Sequence, residues 1–339
     1  MTDLRSALRE RVDAVLAAVV PPGAPVALIG FPNHSNPGDA AIWVGELAWL
    51  RRHGHRIDYA CDWLSYDPGQ LARAAPGATL LLHGGGNLGD VWPAHQALRE
   101  RLIAAFPGHR IVQLPQTLAF SDPANLERAR RVFDAHPDLH LLLRDHRSLE
   151  QARAAFACES RLCPDAAFAL GPLDRLGEPT ADVVWLARTD AEATGAPAAA
   201  PAGVRRVDWL SEKTGDPGWT GAEARLRLVS RGGGRVLKRT GAALAPAAPA
   251  LWRLYDRQAT SRLQYGRRLL SGGRAVVTDR LHGHILCVLM DIPHVALDNS
   301  YGKNRSFHEA WTLDWPNVRW AGSLADAEHA LAYLISTAA

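Results

Sequence analysis

Short, continuously apolar segments alternate with helical patterns in this chain, and no other feature of the sequence limits its fold as much. In the first half the apolar segments are Pro25–Phe31, Ile57–Ala60, Thr79–His83, Arg110–Leu114 and Leu139–Leu143. Helices are predicted between some of them, at Asp39–Arg52 and Ala124–Ala135. Strands that are apolar throughout are covered on both faces, and helices between consecutive strands supply that cover. The first half therefore predicts a parallel, doubly wound α/β sheet.

The same pattern restarts after a stretch rich in glycine and proline, Gly171–Pro179, which indicates a domain boundary. Strands are predicted at Asp182–Ala187, Val204–Trp209, Arg274–Thr278 and His294–Leu297, and helices at Leu251–Leu270, Leu281–Met290 and Leu324–Ile335. A mobile loop is predicted at Ala191–Ala202, and irregular structure at Ser230–Arg235 and Ala242–Pro249. Because 339 residues suffice for two cores, we expect two Rossmann-like, doubly wound domains that face a cleft. Their predicted bounds are 1–172 and 173–322, with a C-terminal helix at 323–339.

Composition and charge exclude several classes of function. The formal net charge is only +3, and the basic residues are scattered among the acidic ones, so nothing favours nucleic-acid binding. The four cysteines fit no disulfide or zinc pattern, and we expect no metal site. Neither a signal peptide nor an apolar run of the ~20 residues that a span requires is found. We therefore expect a cytoplasmic protein, whose amphipathic opening helix (Leu4–Val19) packs on the protein itself.

Polar, glycine-containing segments follow two of the predicted strands of the first half. The first segment contains Asn36, Gly38 and Asp39, and the second contains His83, Gly84, Gly85 and Asn87. In open α/β sheets, ligands bind outside the carboxyl ends of the strands, and glycines allow a ligand to approach the backbone amides. The alternative is that each segment is an ordinary tight turn capped by Asn or Asp.

A third segment, Thr278–His284, follows a buried strand of the second half. It brings Arg280 and His282 into the first turn of a helix. Arg binds carboxylate or phosphate through two hydrogen bonds, and the helix N-terminus adds a partial positive charge. The arrangement predicts a site for a small, multiply charged anion. The alternative is a cap formed by Asp279, with Arg280 paired to a nearby acid.

Two further strand ends carry arginines that could complete such a site. Arg144 follows the strand that ends at Leu143, and it could face Arg280 across the cleft or instead pair with a neighbouring acid. Arg188 follows Asp182–Ala187 and is a weaker candidate of the same kind. Histidines are also available: His282 is the first candidate for proton transfer, and His284 is the second.

These motifs occur in an order that resembles the polysaccharide pyruvyltransferase family. The match runs from about Ala27 to Lys303. The motifs are Asn36-Pro37-Gly38-Asp39, His83-Gly84-Gly85-Gly86-Asn87, Leu114-Pro115-Gln116-Thr117, Arg144-Asp145 with Ser148, Asp279-Arg280-Leu281-His282 and Asp298-Asn299-Ser300-Tyr301-Gly302-Lys303. The segment from Thr189 to Ala250 resembles no pattern of the family.

The resemblance implies a fold like that of GT-B glycosyltransferases and a pyruvyl transfer from phosphoenolpyruvate to a sugar hydroxyl. By motif, Arg280 and the Leu281 backbone would bind the donor, with Arg144 and Arg188 as further anion ligands, and His282 would be the catalytic acid or base. Residues expected in the cleft or near the acceptor are Asn36, Gly38, Asp39, His83, Gly84, Gly85, Asn87, Gln116, His284, Asn299 and Lys303. No metal and no cofactor besides this co-substrate is implied.

Partners follow from the same resemblance, and two other functions compete with it. The acceptor would be a sugar or a lipid-linked oligosaccharide, which would place the enzyme in peripheral contact with the inner face of the cell membrane; the sequence leaves the oligomeric state open. Two alternatives remain: the protein could be a glycosyltransferase that uses a nucleotide sugar, or an inactive glycan-binding protein. Trp43, Trp92 and Trp311 are candidates for stacking on a sugar, although most tryptophans serve in packing.

Overall fold

A computed structural model describes residues 3–189, 203–210, 224–225, 228–233, 248–300, 302–323 and 325–330. The chain opens with helix α1 (Leu4–Ala17), as its amphipathic pattern predicts, and Asp3 caps this helix by accepting a hydrogen bond from the amide of Arg5. Among the described helices, none combines the length and the apolar character that a membrane crossing requires.

The first sheet is parallel throughout, and its strands lie between residues 26 and 162. They are β1 (Val26–Phe31), β2 (Ile57–Asp62), β3 (Thr79–Leu82), β4 (Gly85–Gly89), β5 (Ile111–Ala119), β6 (Leu139–Leu143) and β7 (Glu159–Leu162). Their spatial order is β2-β1-β3-β5-β6-β7, and β4 pairs with the far end of β5. The helices between them are α2 (Pro37–Arg52), α3 (Pro68–Ala74), α4 (Pro93–Ala105), α5 (Pro123–Asp134) and α6 (His146–Ala155). A 3-10 helix follows at Ala166–Leu170.

The second sheet is also parallel throughout. Its strands are β8 (Ala181–Leu186), β9 (Val204–Val207), β10 (Gly273–Thr278), β11 (His294–Leu297) and β12 (Val318–Ala321), in the order β12-β11-β10-β8-β9. Its helices are α7 (Ala248–Ser271), α8 (Leu281–Leu289) and α9 (Lys303–Trp311). Residues 325–330 are helical within the predicted closing helix, whose other residues lie outside the described part of the chain.

Each sheet has one point where the strand order reverses. The chain goes from β1 to β2 on one side and then crosses to β3 on the other, and in the second sheet β8, β9 and β10 repeat this pattern. Connections that leave neighbouring strands in opposite directions open a crevice at the carboxyl ends of those strands. The fold therefore provides two such crevices, at β1/β3 and at β8/β10.

One apolar core cluster contains residues of both sheets, including Leu28 of β1, Val184 of β8 and Val276 of β10. The helices around this shared core pack closely. A Cβ at Gly45 of α2 would overlap the carbonyl oxygen of Ala166, so only glycine lets the 3-10 helix approach so closely. The outer faces of the two sheets have separate clusters.

The predicted α/β class with parallel, doubly wound sheets is confirmed, but three local predictions are wrong. Gly85–Gly89 is not a turn, because it pairs with β5, which continues to Ala119 rather than ending at Leu114. Gly89 makes that pairing possible, since its φ is +125° and a Cβ there would overlap the Ala119 carbonyl. Residues 228–233, expected to be irregular in part, are helical. The loop predicted at Ala191–Ala202 lies outside the described residues.

Candidate active site

A cavity of about 370 Å³ lies where the carboxyl ends of the two sheets meet. It is lined from the first sheet by residues that follow β1, β3 and β6, and from the second by residues that follow β8, β9 and β10. The predicted residues that line it are Asn36, Asp39, His83, Gly84, Asn87, Arg144, Arg188, Arg280, Leu281, His282 and Lys303. The tertiary fold thus brings together motifs that are as much as 267 positions apart, from Asn36 to Lys303 (303 − 36).

Helix α8 points its N-terminus into this cavity. Arg280 is the N-cap residue, and its own side chain does not cap the helix. Asp279, the alternative cap, instead accepts hydrogen bonds from the backbone amide of Arg188 at 2.9 and 3.2 Å. Because Leu281 and His282 of the first turn line the cavity, the helix presents its partial positive charge to anything bound there.

The Arg280 side chain is held by a buried carboxylate. Its Nε donates to Oδ1 of Asp208 at 3.0 Å and its Nη2 to Oδ2 at 2.9 Å, and both side chains are buried. Asp208 follows β9, and its Oδ2 also accepts from the hydroxyl of Thr189 at 2.6 Å. The ring of Trp209 lies 5.8 Å from the Arg280 guanidinium carbon. This cation is therefore fixed at the cavity wall and partly neutralised.

Arg144 is anchored on the opposite wall by a different carboxylate. Its Nη1 donates to Oδ2 of Asp165 at 2.6 Å, and its Nε donates to the hydroxyl of Thr117 at 2.8 Å. The pairing with a neighbouring acid is thus found, but the acid is Asp165 and not the nearby Asp145 or Glu150. A Cβ built at Gly86 would lie 3.0 Å from Nη2 of Arg144 and 4.0 Å from Nζ of Lys303. Two cations thus converge beside a glycine that leaves them room.

His282 lies between the two halves of the site. Its Nε2 is 3.4 Å from Oδ2 of Asp165, and the other side of its ring packs against the first turn of α2. A Cβ at Gly38 would lie 2.6 Å from Nδ1 of this histidine, so Gly38 does not line the cavity but gives the imidazole its place. In this orientation Nε2 has no hydrogen-bond partner among the described residues, because the 3.4 Å contact with Asp165 lacks the alignment of a hydrogen bond.

The electrostatics of Asp165 match this arrangement. Burial alone would raise the pKa of Asp165. The neighbouring His282 and the charge of Arg144 outweigh burial, and they hold this pKa well below its usual range. A carboxylate that is fully buried and still ionised is a strong local acceptor between a guanidinium and an imidazole.

Asp39 supplies a second carboxylate, on the α2 side of the cavity. Its Oδ2 accepts from Nδ2 of Asn36 at 2.9 Å and lies 3.4 Å from Nε2 of His34. Burial would raise the pKa of Asp39, but His34, His282, His83 and Lys303 together lower it. The carboxylate therefore stays ionised among cationic and titratable groups.

His83 is held by Glu46, a buried residue of α2. Nδ1 of His83 lies 2.8 Å from Oε2 of Glu46, whose Oε1 accepts from the amide of Gly84 at 2.9 Å. Burial would lower the pKa of His83, but the Glu46 carboxylate reverses this and raises it. The His83 side chain is thus held by the carboxylate of Glu46.

Five predicted residues do not line the cavity. Gln116 lies behind it, where its amide donates to the carbonyl of His83 and to Oδ1 of Asn87, both at 3.0 Å. Asn299 accepts from the amide of Lys303 at 3.0 Å and so positions the start of α9. Gly85 begins β4, and Gly38 lies behind His282. Four of these five positions therefore support lining residues, and the fifth is His284.

His284 is turned away from the cavity into a buried histidine cluster. Its Nδ1 lies 2.7 Å from Nε2 of His294, and its Nε2 lies 2.9 Å from the hydroxyl of Thr312. Burial, reinforced by His294 and His308, lowers the pKa of His284. This placement separates the second proton-transfer candidate from the site and leaves His282 as the one at the cavity.

Several lining residues were not predicted from the sequence. They include His34, His95, Trp209 and Leu210. Trp92 is 49% exposed at the cavity rim, whereas Trp43 is buried and the indole of Trp311 donates to the carbonyl of Arg144. Of the three candidates for sugar stacking, Trp92 alone lines the cavity, with a half-exposed side chain.

Three carboxylates that hold side chains of the site were also not predicted from the sequence: Asp165, Asp208 and Glu46. Asp165 and Asp208 each follow a short strand, which is the same signal that identified Arg144 and Arg188, but β7 is short and polar and was not recognised as a strand. Glu46 lies on the apolar side of α2 beside Leu47 and Leu50. A carboxylate at a core position requires a partner. The position of Glu46 in the sequence could therefore have indicated a buried polar contact.

Comparison with known proteins agrees with this geometry. The family model for polysaccharide pyruvyl transferase matches residues 36–301. The candidate pyruvyl transferase EpsO of Bacillus subtilis (strain 168) is 30% identical over 314 residues, which are 92% of this chain and 92% of that protein. Pyruvyl transferase 1 of Schizosaccharomyces pombe (strain 972 / ATCC 24843) is 32% identical over 309 residues, 86% of this chain and 72% of that protein.

A solved structure supports the fold independently. The crystal structure of a functionally uncharacterized protein from Klebsiella pneumoniae subsp. pneumoniae NTUH-K2044 matches with a TM-score of 0.58 and 17% identity, over 95% of this chain and 100% of that one. The family match covers more than half of the chain and includes most of the residues that line the cavity. The chain belongs to the polysaccharide pyruvyl transferase family and is a transferase.

Proposed function

We propose that this transferase moves the pyruvyl group of phosphoenolpyruvate onto sugar hydroxyls of a polysaccharide precursor, forms a pyruvate ketal and releases phosphate. One observation carries the proposal: arginines from both sheets, a lysine, the N-terminus of α8 and His282 converge on one cavity. Nothing in a purely structural role requires that convergence of cations around an imidazole.

The cationic groups match the charges of the proposed donor. Phosphoenolpyruvate carries a carboxylate and a phosphate, and Arg280, Arg144 and Lys303 with the α8 amides supply donors for both. Arg188 lines the same wall and is a further candidate ligand. Because Asp208 and Asp165 fix the two arginines, little side-chain freedom is lost when the donor binds.

His282 is the proposed proton donor. The imidazolium protonates the methylene carbon of phosphoenolpyruvate, which becomes a methyl group, and C2 gains positive character. A sugar hydroxyl oxygen then bonds to C2, and its proton returns to the imidazole. Histidine suits both transfers near neutral pH.

A second hydroxyl of the same sugar completes the ketal. The bond between C2 and the phosphate oxygen breaks, the second hydroxyl oxygen bonds to C2, and its proton leaves with the phosphate. The cations that bind the donor stabilise the charge that develops on the departing phosphate. Phosphoenolpyruvate and a diol thus give one cyclic ketal and one phosphate.

The acceptor side of the site is proposed to lie toward α2 and the rim. Asn36, Asp39, His83 and Asn87 offer polar contacts to sugar hydroxyls, and Trp92 offers an exposed ring face at the entrance. A carrier-linked acceptor would fit an open entrance of this kind. We accordingly propose a cytoplasmic enzyme that contacts the inner face of the membrane peripherally.

We also propose that the two sheets represent the halves of a GT-B-like enzyme, with bounds at 1–172 and 173–322. Support comes from the repeated strand order of the two sheets and from a cavity that residues of both halves line. The apolar cluster shared by the two sheets suggests that their relative motion is small.

The direct test is a phosphate-release assay with phosphoenolpyruvate and a panel of sugar and lipid-linked acceptors, followed by mass analysis of the product. A ketal product carries the mass of the acceptor plus phosphoenolpyruvate minus phosphoric acid. A nucleotide-sugar panel in the same assay tests the glycosyltransferase alternative. Release of phosphate without an acceptor adduct, or glycosyl transfer instead, would contradict the proposal.

A further inference from the structure

We infer that Asp165 is a positioning residue, whose buried carboxylate sets the orientation and the tautomer of His282 while it anchors Arg144. The inference rests on the proposed function for its catalytic meaning, but the geometry stands by itself. Asp165 precedes the 3-10 helix, where its Oδ1 accepts from the amide of Ala167 at 2.9 Å. Its Oδ2 serves both Arg144 and His282, at 2.6 and 3.4 Å.

One oxygen atom therefore connects the two functional groups. Arg144 and His282 come from different sheets, after β6 and at the start of α8, and Asp165 lies between them with a fully buried side chain. A buried carboxylate placed there purely for structure would need only the amide of Ala167 and one cation. The second group on Oδ2 is what points to a role in the chemistry.

The carboxylate also determines which ring nitrogen carries the proton. An ionised carboxylate only accepts hydrogen bonds, so the nitrogen that faces it, Nε2, is favoured as N–H. Neutral His282 is then the Nε2–H tautomer, and Nδ1 is the nitrogen that exchanges a proton with a bound ligand. The 3.4 Å separation is expected to shorten when a ligand fills the cavity, because catalytic hydrogen bonds are often long without substrate.

Charged groups from every surrounding element lie near this imidazole. The carboxylates are Asp165, 3.4 Å from Nε2, and Asp39 of α2, and the cations that line the same cavity are Arg144, Arg280 and Lys303 of α9. Asp165→Asn removes a negative charge beside the ring, and a nearby negative charge favours a protonated imidazole. A loss of structure alone would not act on one protonation state.

The first experiment compares Asp165→Asn with the wild type and with a matched control, Asp145→Asn. Asp145 is also a buried N-cap aspartate, but its carboxylate is bound to Ser148 and Ser306 rather than to His282. We expect Asp165→Asn to lower turnover by on the order of 10², to raise the KM for phosphoenolpyruvate through Arg144, and to move the alkaline limb of the turnover–pH profile to lower pH. Asp145→Asn should keep the wild-type limb. An unchanged turnover and limb in Asp165→Asn would overturn the inference.

A double variant separates the two functions of the carboxylate. In a His282→Ala background, Asp165→Asn should lower turnover by less than about 3-fold, because residues that act as a unit are not additive. Its effect on the donor KM should persist, since that effect passes through Arg144. An undiminished effect on turnover in the double variant would show that Asp165 does not act through His282.

The tautomer itself can be measured without any activity. Imidazole ¹⁵N NMR of the resting wild-type protein, with the His282 signals assigned by comparison with His282→Gln, should show the Nε2–H tautomer at alkaline pH. An Nδ1–H tautomer would overturn the inference even if Asp165→Asn fails to fold. If the Nε2–H tautomer is found but no acceptor is pyruvylated, the proposed function fails and the pairing with Asp165 stands.

Discussion

The guanidinium of Arg280 and the carboxylate of Asp208 form a two-pronged ion pair, with N–O distances of 3.0 and 2.9 Å, at the wall of the cavity. The two residues follow strands β10 and β9, with β8 between them in the sheet. Arg280 is therefore at once a candidate ligand for an anion and one half of a buried ion pair. Any experiment on Arg280 has to separate these two roles.

Replacing Arg280 by Ala is expected to weaken phosphoenolpyruvate binding and also to lower the free energy of unfolding by about 3–5 kcal/mol, because Asp208 loses its buried partner. The double variant Arg280→Ala/Asp208→Asn should recover much of the stability but none of the donor affinity. Chemical denaturation and calorimetric titration with phosphoenolpyruvate measure the two quantities. Normal donor affinity in either variant would exclude Arg280 from the anion site.

Replacing His282 by Ala is expected to lower turnover by on the order of 10²–10⁴ if the imidazole transfers the proton. Donor binding should change little, because the cationic ligands remain. Steady-state kinetics with His329→Ala, an exposed histidine on the helical segment 325–330, provides the control. Near-normal pyruvylation by His282→Ala would remove His282 from the mechanism.

Gly38→Ala tests whether the position of the His282 ring matters. The added Cβ would lie 2.6–2.7 Å from three atoms of His282 and would push the ring out of place. We expect turnover to fall by roughly 10², as for a displacement of about 1 Å of a catalytic group. Some stability should also be lost, because the Cβ of His282 is among the three overlapped atoms and cannot move without the backbone of α8. Gly108→Ala, where a Cβ meets nothing within 4 Å, should retain both turnover and stability. Wild-type turnover in Gly38→Ala would argue against a tightly placed imidazole.

Trp92→Ala is expected to raise the KM for the sugar acceptor several-fold and to leave the KM for phosphoenolpyruvate unchanged. Trp92 lines the cavity with a half-exposed side chain, and Trp92→Phe should preserve part of the effect. Leu313→Ala removes a similarly exposed apolar side chain outside the cavity and serves as the control. Equal acceptor KM values for Trp92→Ala and the wild type would place the acceptor elsewhere.

The buried histidine cluster predicts a loss of stability in acid. Nδ1 of His294 donates to the carbonyl of Ile292, which makes its Nε2 the acceptor for Nδ1–H of His284. Both rings are therefore neutral, and burial lowers the pKa of His294 to about 4. An unfolded histidine takes up a proton near pH 6.5. The contribution of the neutral His294 to the free energy of unfolding is therefore present above that pH and is lost as the pH falls toward about 4.

For His294 alone, the free energy of unfolding falls by at most roughly 3 kcal/mol between about pH 6.5 and about pH 4. Urea denaturation of the wild type and of His294→Gln at pH 7.5 and pH 5 measures it, and the wild type should show the larger decrease. Burial raises the pKa of Asp279 to about 6, which acts in the opposite direction, but both proteins contain Asp279 and the difference between them cancels this effect. Equal decreases would contradict a neutral, desolvated His294.

The sequence by itself determined the fold class and most of the residues that face the cavity. Continuous apolar strands such as β3 and β10 cannot be stable unless helices cover both faces, so a parallel sheet followed from their composition. Strand-end residues such as Arg144 and Arg280 were recognisable because the carboxyl edge of a parallel sheet is where ligands bind. These inferences depend on local sequence pattern and on the general rule that ligands bind at the carboxyl edge of a parallel sheet.

Pairing across the chain was decided only by the tertiary structure. Gly85–Gly89 became a strand because β5 extends beside it. His284 was separated from His282 because α8 turns positions two residues apart toward different faces. The partners of the two arginines, Asp165 and Asp208, lie 21 and 72 positions from them in sequence. Ion pairing and burial depend on distance in space, and local sequence pattern carries no record of which distant carboxylate will lie within 3 Å of a given guanidinium.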